Sequence, residues 1–295
     1  MPAPSCASDA APWWAVSGLF KGRKMPLSWE QVAERLNHTE KLLNQTRPVS
    51  VSGPLHVGID LGTADVVVMV LDDGDRPVAT FLEWAEVVRD GVVVDFIGAV
   101  DMVKDLILKA EKRLGVKLTE ASTSFPPGTD ARLSTNILET AGLDVTAVRD
   151  EPSCVASLLE LDKAAVVDVG GGTTGTAVVQ NGSVVFSDDE PSGGRHISLS
   201  IAGHFDIPLE EAEKRKRLPD RYGILDLARP TLLKICDIVA GHIKGHTVDR
   251  IILTGGTCCL PGIDRIFFEE LGIPVQLPTQ PLLLTPLAIA SLPVA

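Results

Sequence analysis

Apolar and polar positions change their period several times along this chain, and each change marks an element. Residues 57–61 and 66–70 are short apolar runs on either side of Gly62-Thr63, the pattern of a strand, a tight turn and a strand. The same writing returns at 166–169 and 177–179 around Gly170-Gly171-Gly172-Thr173. Each copy reads apolar run, Asp, apolar residue, Gly turn, Thr, apolar run, with Asp60 and Asp168 in matching places. A repeat this far apart implies two similar halves that face each other.

Helical spacing takes over elsewhere. Trp29, Val32, Ala33, Leu36 and Leu43 fall on one face of a helix that opens at Ser28, with Gln31 completing a capping box. Further helices are expected over 102–114, closed by Gly115, and over 130–141, closed by Gly142. Another, over 153–161, is entered through Glu151-Pro152. The second half adds helices at 196–204, 209–216, 225–244, 261–271 and 285–291. Strands are expected at 78–81, 91–96, 121–125, 145–148, 164–168, 175–180, 183–187, 250–254 and 275–277. Strands lead and helices follow in each half, so the class is α/β with mixed sheets.

Residues 1–54 stand apart. The first dozen residues are rich in Ala, Pro and Ser and read as disordered. Residues 13–24 are apolar and then basic, the reverse of a signal peptide. They read either as a docking peptide or as sequence upstream of a start at Met25. Residues 47–54 read as a linker.

Composition narrows the partners. The formal net charge of −12 argues against a nucleic-acid surface. The run Glu213-Lys214-Arg215-Lys216-Arg217 reads as a solvated helix face. No apolar stretch is long enough to span a membrane. Five cysteines form no Cys-x-x-Cys pair, and an odd count without a framework suits a reducing cytoplasm. Cys258-Cys259 and the pair His242 and His246 read as structural rather than metal-binding.

The twin turns carry the chemistry. Backbone N–H groups in a glycine turn hold phosphate oxygens closely, and a Thr hydroxyl adds a donor. A carboxylate just before the turn is unsuited to touch phosphate but suited to hold Mg²⁺ through water. Asp60 and Asp168 are therefore read as the metal side, and Gly62, Thr63, Gly170, Gly171, Gly172 and Thr173 as the phosphate side. An Asp-x-Gly between strands is more often a plain hairpin turn; two matching copies outweigh that reading. The P-loop string is absent, and these turns lead into strands rather than helices.

Taken in order, five stretches resemble the actin-like ATPases: actin, the chaperone DnaK, the cell-division protein FtsA and sugar kinases. Ile59-Asp60-Leu61-Gly62-Thr63 and Asp168-Val169-Gly170-Gly171-Gly172-Thr173 resemble the two phosphate loops. Leu253-Thr254-Gly255-Gly256 looks like the adenosine motif. Asp150-Glu151-Pro152-Ser153 and Pro286-Leu287-Ala288-Ile289-Ala290-Ser291 resemble the two connecting helices. The resemblance implies a ribonuclease H-like fold of two duplicated subdomains around a nucleotide cleft. It implies subdomain I over 55–160 with 281–295 and subdomain II over 161–280. It implies ATP and Mg²⁺ as ligands, with Glu151 near the attacking water. That acid is as readily explained by the helix dipole. Gly193, Gly194, Gly255 and Gly256 would flank the nucleoside, and Glu213 and Lys216 would reach the base.

Within the superfamily, Ser124-Phe125-Pro126-Pro127-Gly128 and the helical lead-in look most like the EutJ family of ethanolamine-utilisation proteins. That resemblance implies a cytoplasmic, chaperone-like protein associated with a bacterial microcompartment. The partner would be a protein of the ethanolamine or cobalamin-enzyme pathway or the microcompartment shell, with homo-oligomerisation left open. Ala64 stands where chaperones carry a second Thr, and no counterpart of their lysine near the γ-phosphate is found. Both departures favour binding over turnover. A small-molecule kinase of the same fold, and a nucleotide-dependent scaffold or filament docked through 13–45, remain alternatives. So does a dimer-bridging iron–sulfur cluster on Cys154 and Cys258.

Overall fold

The computed structural model describes residues 26–84, 88, 89, 92, 93, 95–159, 161–218 and 223–293. The expected disorder of 1–12 and the 13–24 segment lie outside the described residues.

The chain builds the same sheet twice. In the first, β1 (His56–Leu61), β2 (Asp65–Leu71) and β3 (Pro77–Trp84) form an antiparallel meander. After a two-residue pair, β4 (Val88–Arg89) with β5 (Val92–Val93), come β6 (Glu120–Phe125) and β7 (Asp144–Asp150). These two add in parallel beside β1, giving the order β3-β2-β1-β6-β7. The second sheet repeats the plan with β8 (Ala164–Val169), β9 (Thr174–Gln180), β10 (Ser183–Glu190), β11 (Arg250–Thr254) and β12 (Val275–Gln276). Its order is β10-β9-β8-β11-β12, with β8, β9 and β10 antiparallel and β11 and β12 parallel.

Helices cover both faces of both sheets. The first sheet's outer face carries α2 (Phe96–Leu114) and α3 (Arg132–Thr140). The second sheet's outer face carries α5 (Gly194–Phe205), α6 (Leu209–Lys216), α7 (Ile224–Ile243) and α8 (Ile263–Leu271). Between the sheets lie α1 (Trp29–Leu42), α4 (Glu151–Leu158) and α9 (Leu284–Ala290). The strand period of two then sorts every side chain. Ile59, Val66 and Val68 enter the first outer core, while Val67, Met69 and Leu71 enter the shared middle core. Val167 and Val169 face the second outer core, while Ala164 and Val166 face the middle. Asp60 and Asp168 share parity with the middle-facing positions. Alternation alone therefore aims both acids between the sheets.

The N-terminal helix is part of this middle layer. Its capping box forms as expected, and Val32, Leu36 and Thr39 are buried. Beyond it, Asn44 pins the edge of β3: its N–H donates to Thr80 O at 2.8 Å and its amide bonds both backbone groups of Leu82. An edge so covered is closed to strand addition.

Several boundaries moved for local reasons. The strand expected over 91–96 is found at Val92–Val93, and the helix expected from Met102 begins at Phe96, because Asp95 caps it by accepting from Gly98 N–H at 2.8 Å. The helix expected to reach residue 161 ends at Leu158, whose carbonyl accepts from Leu27 N–H at 2.9 Å. β10 continues past Ser187 to Glu190, which puts Asp189 opposite Gly175 in the ladder. His242 and His246 both pack against the Phe186 ring. Cys154 and Cys258 are buried, so neither thiol stands at the surface.

Candidate functional site

Where the two sheets diverge they leave a cavity of about 300 Å³. Asp60, Gly62, Thr63, Ala64, Asp65 and Trp84 line one wall; Asp168, Gly170, Gly171, Thr173, Gly255 and Gly256 line the other. Glu151 stands at the base, and Glu213, Lys216 and Arg217 stand over the side. The two turns nearly touch: a Cβ on Gly171 would lie 3.1 Å from Ala64 Cβ. Glycine there lets the walls meet.

The second wall is built from outside. Gly170 O accepts from Gly194 N–H at 3.0 Å and from the Thr257 hydroxyl at 2.8 Å. Gly171 O accepts from Arg195 N–H at 2.7 Å. The first amides of α5 are thus spent on the turn. This explains Gly193 and Gly194, which with Gly172 stand behind the cavity wall rather than on it. A Cβ on Gly193 would fall 2.7 Å from Gly170 O, and one on Gly194 would fall 2.3 Å from Thr257 Oγ1. Gly255, at φ +93°, backs onto Asp168, and a Cβ there would sit 2.3 Å from Oδ1.

Acid dominates the floor. Burial raises the Asp60 carboxyl well above its usual range, and Asp168 and Asp65 add to the rise. Glu151 is raised by burial and then by Asp168 and Asp60. Burial lifts Asp168 to about 6, opposed by the Thr285 hydroxyl. It lifts Asp65 and Asp189 to about 7, opposed by Arg217 and by the Thr173 hydroxyl respectively. Asp189 Oδ1 is buried with no partner. Glu151 is not consumed in capping its helix, since Asp150 accepts from Ser153 N–H at 3.1 Å. So many carboxylates with so little to neutralise them form a site for a cation. Among the described residues no three His, Cys, Asp or Glu converge enough to hold a metal alone. A divalent ion fits here through water and through the oxygens of a phosphate ligand.

The basic run on α6 divides by face. Lys214 and Arg215 pair with Glu210 and Glu211 on the outside. Lys216 turns inward, donating to Gly194 O at 3.0 Å and pairing with Glu213 at 2.7 Å. Arg217 crosses the cleft, and its guanidinium stands 3.7 Å from the Trp84 ring centre.

A protein from Salmonella typhimurium, ethanolamine utilization protein EutJ, is 51% identical over 260 residues, spanning 87% of this chain and 92% of its own. This chain belongs to the EutJ family. The crystal structure of EutJ from Carboxydothermus hydrogenoformans superposes with a TM-score of 0.83 at 41% identity, covering 89% of this chain and 98% of that one. A family model described as type IV pilus assembly protein PilM matches residues 130–281. The fold extends to MreB5 of Spiroplasma citri bound to ADP, with a TM-score of 0.64 at 18% identity over 79% of this chain and 94% of that one. The architecture is that of the actin-like ATPases. No helix among the described residues is long and apolar enough to cross a membrane.

In this EutJ-family chain, pattern reading missed Asp65, Asp189, Trp84, Arg217 and Thr285. Asp65 heads an otherwise wholly apolar strand, which was a usable signal. Asp189 lies in the run Asp188-Asp189-Glu190, where nothing local says which acid turns inward.

Proposed function

We propose that the cleft binds ATP with Mg²⁺ and that the bound nucleotide draws the two halves together, so that the protein acts on a partner of the ethanolamine pathway as a chaperone-like switch. One observation carries the reading: two glycine turns meet over a floor of buried carboxylates. On this reading the N–H groups and hydroxyls of Thr63 and Thr173 would hold phosphate oxygens, and Asp60, Asp168 and Asp189 would orient the water around the metal. The metal, when bound, neutralises the acids and the phosphates together. Glu151 holds a water near the terminal phosphate, and its raised affinity for a proton suits a base that works slowly. Gly255, Gly256, Glu213 and Lys216 border the space left for the nucleoside. Lys216 and Arg217 are the basic groups lining the cleft among the described residues, and both pair with Glu213. That placement supports tight holding with slow hydrolysis.

Nucleotide binding by the intact chain tests this in equilibrium titration, with and without Mg²⁺. At 100 times its dissociation constant a ligand stabilises the folded state by about 2.7 kcal/mol. Wild-type protein should show that gain with ATP and Mg²⁺, and Asp168→Ala should lose it. An equal gain in both proteins would refute the site.

A further inference from the structure

One buried hydroxyl ties the acid of the second wall to the sheet that carries the acid of the first. Thr285, on α9 and 3% exposed, donates to Asp168 Oδ2 at 2.6 Å. Its oxygen also lies 3.0 Å from Thr254 Oγ1, which donates to Pro281 O at 3.1 Å. Thr254 is fully buried and Asp168 is 7% exposed, so water does not compete for these bonds. A hydroxyl has a single proton. An ionised Asp168 is an acceptor only, so Thr285 must donate to it, and the single Thr254 proton then serves either Pro281 O or Thr285 Oγ1, never the Asp168 bond. The orientation of the carboxylate is fixed by a donor that has no other use.

The other end of α9 is fixed to the first sheet. A Cβ on Gly58 would lie 2.4 Å from Ala290 N and 2.7 Å from its Cα. The helix therefore rests on bare β1 backbone, and Asp60 stands two places further along the same strand. A short rigid helix spans from β1 to Asp168, and Thr285 is its contact at the far end. Pattern reading passed over Thr285 because it is a small residue in an apolar run.

We infer that Thr285 is the positioning residue for Asp168, and that through α9 it makes the metal-side geometry of the second wall depend on the docking of the first. The inference rests on the nucleotide reading above. A hydroxyl that supports a ligating carboxylate in this way typically contributes 10- to 100-fold in metal affinity. Valine matches threonine in shape and lacks the proton, so Thr285→Val leaves Asp168 Oδ2 buried without its donor.

The test is Mn²⁺ binding in the presence of ADP, followed by electron paramagnetic resonance on the full chain, beside the thermal midpoint of the ligand-free protein. Thr285→Val should weaken Mn²⁺ binding roughly 10-fold or more while the ligand-free protein still unfolds cooperatively. Thr285→Ser, which keeps the hydroxyl, should restore it to within about threefold. Thr254→Val, which leaves the donor to Asp168 in place, should likewise stay near wild type. If Thr285→Val fails to fold, Thr285→Ala carries the same expectation. Wild-type affinity in Thr285→Val, or loss in Thr285→Ser equal to that in Thr285→Val, would overturn the inference while leaving the nucleotide site standing. No Mn²⁺·ADP binding by wild-type protein would overturn the nucleotide reading, and this inference with it.

Discussion

The two walls of the cleft share one topology and differ in how they are held. The turn at Gly170-Gly171 receives two amides from α5 and the Thr257 hydroxyl, and its Asp168 receives Thr285. Among the described residues, the turn at Gly62-Thr63 receives no donor from another element. Its neighbours are Asp65, whose Oδ1 would lie 2.9 Å from a Cβ on Gly62, and the Trp84–Arg217 contact across the mouth. A duplicated hairpin is tied to other elements at its second copy and not at its first, which predicts a fixed jaw and a looser one. Pre-ordered donors hold a ligand without paying for their own ordering at the moment of binding. On the proposed reading, a looser partner wall lets the ligand enter.

Glycine replacement should break this comparison most visibly. Gly255→Ala combines a left-handed backbone with a contact against Asp168 Oδ1 and Val169 O, and should cost about 3 kcal/mol of folding stability. Gly62→Ala meets Asp65 Oδ1 at 2.9 Å and Asp65 O at 3.0 Å, longer contacts than those at Gly255, and should cost about 1 kcal/mol. Denaturant titration of the two variants measures the difference. Equal costs would mean that the walls are equally rigid.

The acids give the next effect. Asp168, Asp65 and Asp189 bind protons more tightly in the folded chain, at about 6, 7 and 7, than their ordinary 3.8. Between those limits the folded state holds more protons than the unfolded state, so stability falls as pH rises from about 4 to 7. Without divalent cation the thermal midpoint should therefore decline across that window. Mg²⁺ with nucleotide, which favours the ionised acids, should flatten the decline. A midpoint that rises with pH in the ligand-free protein would contradict the buried-acid account.

The smallest effect belongs to the mouth. An exposed cation–π contact contributes about 0.5–1 kcal/mol. Trp84→Ala should therefore speed release of a fluorescent nucleotide about two- to fivefold with little change in stability. Stopped-flow displacement reads this directly, and an unchanged rate would place the barrier to release elsewhere.

Much of this was legible in the sequence because its causes are local. The twin Asp-apolar-Gly turns show in a period of two, and the same period aims Asp60 and Asp168 inward. Ser28 and Gln31 announce their helix because a capping box involves only neighbours in the chain. What stayed hidden depends on distant partners. Gly193-Gly194 looks like a ligand-flanking pair, yet the close approach of Gly170 O and Thr257 accounts for it. Arg217 sits in what reads as a solvated basic face, and only the fold brings Trp84 beneath it. Asp95 was lost inside an expected strand because the apolar run 92–94 before it hid the cap that starts the next helix. The actin-like resemblance was carried by short motifs in order, and an order survives where single motifs do not decide.

Amide hydrogen exchange, resolved to the two turns of the full chain, tests the unequal jaws most directly. In the ligand-free protein residues 62–66 should exchange faster than residues 170–175, and ATP with Mg²⁺ should slow both. Equal protection of the two turns before ligand, or protection of only one of them afterwards, would contradict a fixed jaw and a closing one that share a single nucleotide.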